Sequence, residues 1–281
     1  MPTCQALIAD FLGSHFILLA KIRAKVASFP LPAGVMNGLL QSAASKAWLR
    51  ELVRRIETRF LLGCLAITAA IGGFAALAAE AREGDVGAVD RLLLLAFRAP
   101  GNPAVAIGPR WVQESARDIT ALGGFTVLAL VTILATALLV LHGRRRQALV
   151  FAASVILAQA ASEGLKQFIA RPRPELVAHF DLVYSASFPS GHAMMSPVVY
   201  LTLATVLASQ SKRLSVRVTL LSCAALLVGA IGISRVYLGV HWPTDVLAGW
   251  ALGSAIAIAA SYALLIAAPR DASAAVPPTA P

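Results

Sequence analysis

Long apolar stretches alternate with short polar segments along the chain, and this pattern predicts a membrane protein. A hydrocarbon core about 30 Å thick needs roughly 20 consecutive apolar residues in a helix. Six stretches approach that length, at about 60–80, 121–142, 148–166, 193–210, 218–234 and 245–268. We therefore expect an all-α fold, a polytopic membrane helical bundle with about six transmembrane helices.

The same pattern predicts a division into three segments. We expect a six-helix membrane domain at 57–268, after an N-terminal cytoplasmic or interfacial extension at 1–56. Residues 269–281 are rich in Ala and Pro and predict a disordered tail. Residues 5–20 are apolar but short, which leaves an interfacial helix and a disordered extension both open. No basic region precedes them, so a signal peptide is not expected.

Composition agrees with the pattern. The chain is 58% hydrophobic and only 14% charged, whereas soluble domains carry about 25% charged residues. A net charge of +10 is compatible with nucleic-acid binding by itself. The basic residues, however, cluster beside the apolar spans, as membrane topology requires. We therefore expect a membrane protein and no nucleic-acid partner.

The distribution of Lys and Arg predicts the orientation of the bundle, because cytoplasmic loops carry an excess of basic residues. The N-terminal segment is basic, and the turns after the second and fourth spans hold Arg144, Arg145, Arg146, Lys212, Arg213 and Arg217. The loop at 81–120 has balanced charge and belongs outside. Both termini are then cytoplasmic in a multi-pass protein of the cell inner (plasma) membrane. Segments 167–192 and 235–244 share its periplasmic or exterior face.

Two smaller features are interpreted as structural. Gly249 and Gly253 form a small-x-x-x-small pair, which is typical of closely packed membrane helices. Arg117 and Asp118 lie just before the second span, where they either cap that helix or face a pocket. We favour the structural interpretation for both pairs.

A first polar cluster follows the third span. Lys166 ends the span one turn after Glu163, a spacing that allows a local ion pair, and Arg173 follows between two prolines that stiffen the chain. Arg binds phosphate oxygens through two parallel bonds, and Lys supplies a point charge. Alone, Lys166 is also compatible with a snorkelling anchor. We assign Arg171 to lipid headgroups and Arg173 to phosphate.

A second cluster, Pro189 to His192, directly precedes the fourth span. Ser190 is a good N-cap, and Gly191 lets the backbone approach a ligand. A helix N-terminus favours an anion, and His192 would lie beside it. An ordinary capped helix explains this cluster equally well when it is taken alone.

A third cluster joins the last two spans. Ser234 and Arg235 end the fifth, and His241 and Asp245 begin the sixth. If the helix starts near Pro243, Asp245 can hydrogen-bond one ring nitrogen of His241. That would fix the tautomer and leave the other nitrogen free as a nucleophile. A satisfied interfacial pair is the alternative.

In combination and in this order, the three clusters resemble the three-part signature of the type 2 phosphatidic acid phosphatase family, within the phosphatidic acid phosphatase and vanadium haloperoxidase superfamily. The parts read KQFIARPRP from Lys166 to Pro174, PSGH from Pro189 to His192, and SRVYLGVHWPTD from Ser234 to Asp245. The signature covers 166–245, and the six spans extend the resemblance to about 60–268.

The resemblance implies an all-helical enzyme that hydrolyses phosphate monoesters or pyrophosphates with no metal or other cofactor. His241 would be the nucleophile that forms a phosphohistidine, and Asp245 would orient it. His192 would protonate the leaving oxygen and then activate water. The implied phosphate-binding residues are Lys166, Arg173, Ser190, Gly191 and Arg235.

The expected partner is a lipid phosphate or diphosphate in the bilayer. Undecaprenyl diphosphate, phosphatidic acid and phosphatidylglycerol phosphate all fit an active site at the outer face, and we favour the polyprenyl diphosphate. Two other functions are considered. Vanadate-dependent haloperoxidases share this anion pocket but are soluble and larger. A non-enzymatic lipid transporter or scramblase would carry charged groups within several spans, whereas here Glu163 is the main intramembrane acid.

Overall fold

The computed structural model describes residues 43–83 and 87–267. The N-terminal interfacial helix expected within 5–20 and the tail at 269–281 lie outside these residues. In chain order the described elements are α1 (Ala43–Glu83), α2 (Ala88–Leu95), β1 (Arg98–Ala99), β2 (Asn102–Ala106), α3 (Arg110–Ala121), α4 (Phe125–Leu141), α5 (Arg145–Ile169), α6 (Gly191–Ser196), a π-helical turn (Pro197–Leu201), α7 (Thr202–Ser209), α8 (Leu214–Tyr237) and α9 (Pro243–Ala267).

The expected all-helical membrane bundle is confirmed. Among the described residues, five helical segments are long and apolar enough to cross a membrane: Phe60–Glu83 within α1, α5, the continuous Gly191–Ser209, α8 and α9. The pair α3 and α4 passes the same test together but is bent by 43° at a short break, as a broken span or a re-entrant loop would be. By its contacts the chain divides into two compact units, Met1–Leu61 and Leu62–Pro281. All contacts given below lie within the second unit.

The region expected as a loop at 81–120 contains regular structure. It holds α2, an antiparallel hairpin formed by β1 and β2, and α3. These elements are short or polar, so a search for spans of about 20 apolar residues passes over them. The break before α4 includes Gly123, where an added Cβ would lie 2.5 Å from Ile231 Cγ2. Glycine therefore allows the bent pair to approach α8 closely.

The span that carries the second cluster is irregular in its middle. Pro197 begins the π-helical turn between α6 and α7. Proline has no N–H to donate to the preceding turn, which is a known cause of local widening of a helix. The turn leaves Gly191–Ser209 continuous as one span.

Close packing between α6 and α9 confirms the interpretation of the glycine pair. An added Cβ at Gly249 would lie 2.8 Å from Ser190 O, and one at Gly253 would lie 2.2 Å from Met194 O. Both contacts are to backbone, which cannot move aside as a flexible side chain could. These glycines therefore hold the second cluster against the start of α9, where the third cluster lies.

The interior is formed around the Gly191–Ser209 span. Leu128, Phe151, Met194, Val198 and Leu264 belong to one buried apolar cluster contributed by α4, α5, α6, the π-helical turn and α9. Side chains on the outer surfaces of α4, α5 and α8, by contrast, are large, apolar and exposed. This distribution suits a surface that faces lipid, where helices satisfy their own backbone hydrogen bonds.

Candidate active site

The three polar clusters meet at one end of the bundle. There α5 and α8 end, α6 and α9 begin, and the loops 170–190 and 238–242 pass over the helix ends. The residues predicted from the signature all lie at these helix ends or in these loops: Lys166, Arg173, Ser190, Gly191, His192, Arg235, His241 and Asp245. The sequence separates them by up to 79 positions, and the helix order brings them together.

The ring of His241 faces two different environments. Its Nδ1 lies 3.5 Å from Asp245 Oδ2 and 3.4 Å from Ser187 Oγ. Its Nε2 lies 3.3 Å from a guanidinium nitrogen of Arg173. Because a carboxylate accepts on one side and a guanidinium donates on the other, the arrangement favours the proton on Nδ1 and a lone pair on Nε2. The chain reaches His241 through a turn in which Gly239 has φ +77°.

Burial keeps the ring neutral. The pKa of His241 is lowered to about 4, chiefly by burial and further by the nearby Arg235 and Arg173, although the contact with Asp245 opposes the shift. A neutral imidazole at pH 7 has a free lone pair on one nitrogen. The environment therefore suits a nucleophile.

Asp245 is fully buried and accepts hydrogen bonds on both oxygens. Oδ2 accepts a hydrogen bond from Ser187 Oγ and a 2.9 Å bond from the backbone N–H of Trp242. Oδ1 accepts from Arg171 at 2.6 Å. The expected pairing with His241 is thus one contact among four, and it is the longest of them.

Arg171 is not at the lipid surface, so the assignment to headgroups is wrong. Only 5% of the residue is exposed, and its guanidinium bridges Asp245 Oδ1 and Asp90 Oδ2 at 2.6 and 2.8 Å. The reason lies in the chain just before it. Ala170 ends α5 in the left-handed conformation (φ 51°), which turns Arg171 back under the helix ends instead of out toward lipid.

Asp90, on α2, completes a buried cluster of three charges. Its Oδ1 accepts from the backbone N–H of Thr244 at 2.8 Å, and its Oδ2 accepts from the Thr244 hydroxyl at 2.7 Å. It thereby satisfies one of the free N–H groups in the first turn of α9. The order Asp90, Arg171, Asp245, His241 follows from the distances.

Arg173 lies on the opposite side of the histidine ring. It donates to the carbonyls of Ser185 and Val240 at 2.8 and 2.6 Å. Its pKa is lowered to about 10, first by burial and then by the proximity of Arg235. The guanidinium of Arg235 is thus close enough to lower the pKa of Arg173. An anion placed near both guanidinium groups would be stabilised.

Lys166 borders the same space. Its ammonium donates to Ser185 Oγ at 3.0 Å and lies 4.0 Å from Glu163 Oε1, as the sequence suggested. An added Cβ at Gly191 would lie only 3.5 Å from Lys166 Nζ. The absence of a side chain at Gly191 therefore leaves room beside the ammonium.

Ser190 occupies the N-cap position of α6, but its hydroxyl does not cap the helix. Its backbone N–H donates to Asp245 O at 3.1 Å, which ties the second cluster to the third. The hydroxyl is buried, and among the described residues it has no hydrogen-bond partner. A buried hydroxyl of this kind is costly unless a ligand or water satisfies it.

Arg235 projects from the last turn of α8. Its guanidinium donates to Asp181 Oδ2 at 2.6 Å and to Thr120 Oγ1 at 3.2 Å. Its Nε is buried and lacks a hydrogen-bond partner within the described part of the chain. The loop that carries Asp181 is held by Arg117, whose Nε donates to Phe180 O at 2.8 Å. Arg117 thus makes a structural contact, in line with the favoured interpretation.

His192 lies at the border between the polar site residues and an apolar groove. The groove has a volume of about 850 Å³ and runs between α4, α5 and α6. Its polar end is lined by Lys166, Gly191, His192, Glu163 and Gln159, and the rest of its lining is almost entirely apolar, down to Ala137 and Ala152. From Lys166 to Ala152 along α5 is roughly 21 Å at 1.5 Å per residue. The groove is therefore long enough for much of a lipid tail.

Sequence reasoning missed Asp90, Asp181 and Ser187. Asp90 lies in the loop at 81–120, which the sequence analysis considers only for its balanced charge, although its position within the apolar segment AVDRLLLL is a signal. Asp181 and Ser187 lie in an irregular loop between the first two clusters, where no periodicity locates a side chain. Within residues 43–83 and 87–267, no cluster of three His, Cys, Asp or Glu side chains has the arrangement of a metal site.

Comparisons with known proteins show the family to which the chain belongs. The sequence profile of the PAP2 superfamily matches residues 147–267, which include all three clusters. The chain is 34% identical over 161 residues to phosphatidylglycerophosphatase B of Bacillus subtilis, covering 56% of this chain and 78% of the relative. It is 32% identical over 136 residues to decaprenylphosphoryl-5-phosphoribose phosphatase of Mycobacterium tuberculosis, covering 47% and 67%.

A solved structure has a similar fold. The crystal structure of a transmembrane PAP2 type phosphatidylglycerolphosphate phosphatase from Bacillus subtilis superposes with a TM-score of 0.61 at 29% sequence identity. The match covers 69% of this chain and 93% of that one.

Proposed function

Because the chain belongs to the PAP2 superfamily, and is thus a membrane-embedded lipid phosphate hydrolase, we propose that it cleaves its substrate through a phosphohistidine on His241 at the outer membrane face. The observation that carries this proposal is the setting of the His241 ring. Its neutral Nε2 faces the cation side of the site, while its Nδ1 faces a buried carboxylate.

In the first step, Nε2 of His241 attacks phosphorus and the bond to the leaving oxygen breaks. The ring becomes positively charged, and Asp245 stabilises that charge through Nδ1. Phosphoryl transfer spreads negative charge over the equatorial oxygens, so preplaced cations contribute most of the catalysis. Lys166, Arg173 and Arg235 supply them.

The remaining phosphate contacts come from the start of α6. The first N–H groups of a helix have no partner within it and can donate to an anion. The hydroxyl of Ser190, which has no hydrogen-bond partner among the described residues, adds a further donor at the same position, and Gly191 keeps the approach open.

His192 serves as the acid for the leaving group. It lies at the polar end of the groove, between the cations and the apolar lining. It donates a proton to the leaving oxygen and later accepts one from the water that attacks the phosphohistidine. Acid and base assistance of this kind typically contributes about 10²–10⁴-fold.

The groove supports a lipid phosphate or diphosphate as the substrate class, with the tail among α4, α5 and α6. A pocket that is apolar along most of its length, with convergent polar groups at one end, is typical of a site for an amphipathic ligand. Undecaprenyl diphosphate, phosphatidic acid and phosphatidylglycerol phosphate all have this form.

The test is phosphate release in detergent by wild type and His241→Ala, with EDTA present throughout. We expect wild type to release phosphate and His241→Ala to be inactive, with unchanged elution on size exclusion. Wild type quenched in base during turnover should retain acid-labile ³²P from a labelled substrate, and His241→Ala should not. Substantial activity in folded His241→Ala would contradict the mechanism.

The orientation is tested separately by labelling cysteines in a variant that lacks the natural ones. Tyr184 is 92% exposed on the loop beside the site, and Lys212 lies in the turn between α7 and α8. An impermeant maleimide should label Tyr184→Cys in intact cells. It should label Lys212→Cys only after the membrane is opened, and the reverse pattern would overturn the proposed face.

A further inference from the structure

The three charges behind His241 do not sum to zero, and this imbalance has a consequence for the proposed reaction. Arg171 contacts Asp245 at 2.6 Å on the oxygen that does not face the histidine. A guanidinium at that distance offsets the carboxylate charge that should stabilise the phosphohistidine. Asp90 contacts the same guanidinium at 2.8 Å and offsets it in turn. The net charge of the cluster is then −1.

We propose that Asp90 is a positioning residue for the reaction: it neutralises Arg171, so that Asp245 presents a full negative charge to His241, and it holds the first turn of α9 in place. The proposal rests on the proposed function, since it concerns the charge that develops on His241. Asp90 itself touches neither the ring nor the phosphate site.

Burial makes the charge balance matter. Asp90 and Asp245 are both fully buried, and Arg171 is 5% exposed. Charges in such a place are poorly screened by salt and water. Every oxygen of the two carboxylates has at least one donor, so the cluster is satisfied without a ligand. Its role is therefore to set the potential at His241 and not to bind phosphate.

A purely structural role for Asp90 is the competing explanation. Asp90 accepts from both the N–H and the hydroxyl of Thr244 and so acts as a cap for α9. Removal of Asp90 alone would reduce activity under either explanation. The two differ when Arg171 is removed as well, because that second change restores the net charge of −1 but does not restore the cap.

The experiment measures kcat and KM on one lipid phosphate for wild type, Asp90→Asn and Asp90→Asn with Arg171→Met, in detergent with melting temperatures recorded. We expect Asp90→Asn to lower kcat by about 30-fold, the size of one uncompensated charge near a buried pair, with KM changed less than about threefold. The double variant should recover at least about fivefold over Asp90→Asn. Glu114→Gln removes an exposed acid paired with Arg110 and serves as the matched control.

Each outcome is decisive. A double variant that is folded but no more active than Asp90→Asn would show that Asp90 only caps the helix. So would an Asp90→Asn enzyme with normal kcat. If Asp90→Asn does not fold, Thr244→Ala decides, since it removes the hydroxyl contacts but keeps all three charges: a loss of about threefold or more there overturns the proposal, and a smaller loss supports it. A wild type that releases no phosphate would instead refute the proposed function.

Discussion

The two sides of His241 differ in how their charges are matched. On the Nδ1 side, Asp90, Arg171 and Asp245 are buried and pair with one another. On the Nε2 side, Lys166, Arg173 and Arg235 outnumber their acidic partners, which are the partly exposed Asp181 and Glu163. One region is complete without a ligand, and the other has surplus positive charge. The difference teaches that buried charge alone does not mark a binding site, whereas unmatched buried charge does.

The largest effect should come from removing one charge from the buried cluster of Asp90, Arg171 and Asp245. Arg171→Met leaves two buried carboxylates without their shared partner, and removal of one partner from a buried ion pair typically costs about 3–5 kcal/mol. Thermal or urea unfolding in detergent measures the loss. Arg110→Met, which breaks an exposed pair with Glu114, should cost about 0–1 kcal/mol. Equal losses in the two variants would mean that the cluster is not held as described.

The next largest effect should come from forcing α6, which carries His192, away from α9. Gly253→Ala places a methyl group 2.2 Å from Met194 O, so α6 must shift away from α9 and carry His192 with it. Overpacking of this kind typically costs about 1–3 kcal/mol, and kcat should fall as well. Gly229→Ala on α8 is the control, because an added Cβ there meets nothing within 4 Å. A Gly253→Ala enzyme with full stability and kcat would contradict the close contact.

The pH dependence of kcat/KM should reveal the excess of positive charge beside His241. Because burial, Arg235 and Arg173 lower the pKa of His241 to about 4, the proposed nucleophile should stay neutral at mildly acidic pH. As the pH is lowered, kcat/KM should therefore fall through protonation of His241 only below about pH 4. Arg173→Gln removes one cation and should move this acid limb to higher pH. A wild-type limb near pH 6.5 that Arg173→Gln moves would show that the ring is not in this environment, whereas one that Arg173→Gln leaves in place belongs to the substrate phosphate.

The sequence could predict the signature residues of this site, but not the buried pairing of Arg171 with Asp90 and Asp245. The spacing of Lys166, Arg173, His192 and His241 at the ends of apolar spans was enough to predict their convergence, because alternating spans return the chain to the same face. Arg171 was assigned wrongly, since its direction depends on the left-handed conformation of Ala170. No sequence pattern indicates that conformation at an alanine.

Long-range contacts account for most of what was missed. Asp90 lies 154 positions before Thr244, and its partner could be found only once α2 had been placed against α9. The same holds for the bend between α3 and α4, which depends on the packing of Gly123 against Ile231. Local propensity and hydropathy do not contain this information.

The smallest expected effect concerns the choice between a phosphate monoester and a diphosphate as the substrate. Glu163 lines the polar end of the groove beside His192, 4.0 Å from Lys166 Nζ. In the proposed mechanism, a group attached to the leaving oxygen would pass His192 and meet Glu163. The second phosphate of a diphosphate would be repelled there, whereas an uncharged alcohol would not.

Glu163→Gln should therefore raise kcat/KM for diacylglycerol pyrophosphate relative to phosphatidic acid, two substrates with the same tails. The side chain is about half exposed, so water screens the repulsion and the ratio should change by about two- to fivefold. Glu114→Gln should leave the ratio unchanged. If Glu163→Gln alters both substrates equally, Glu163 acts only by holding Lys166 in place, and the choice between monoester and diphosphate must be made elsewhere in the groove.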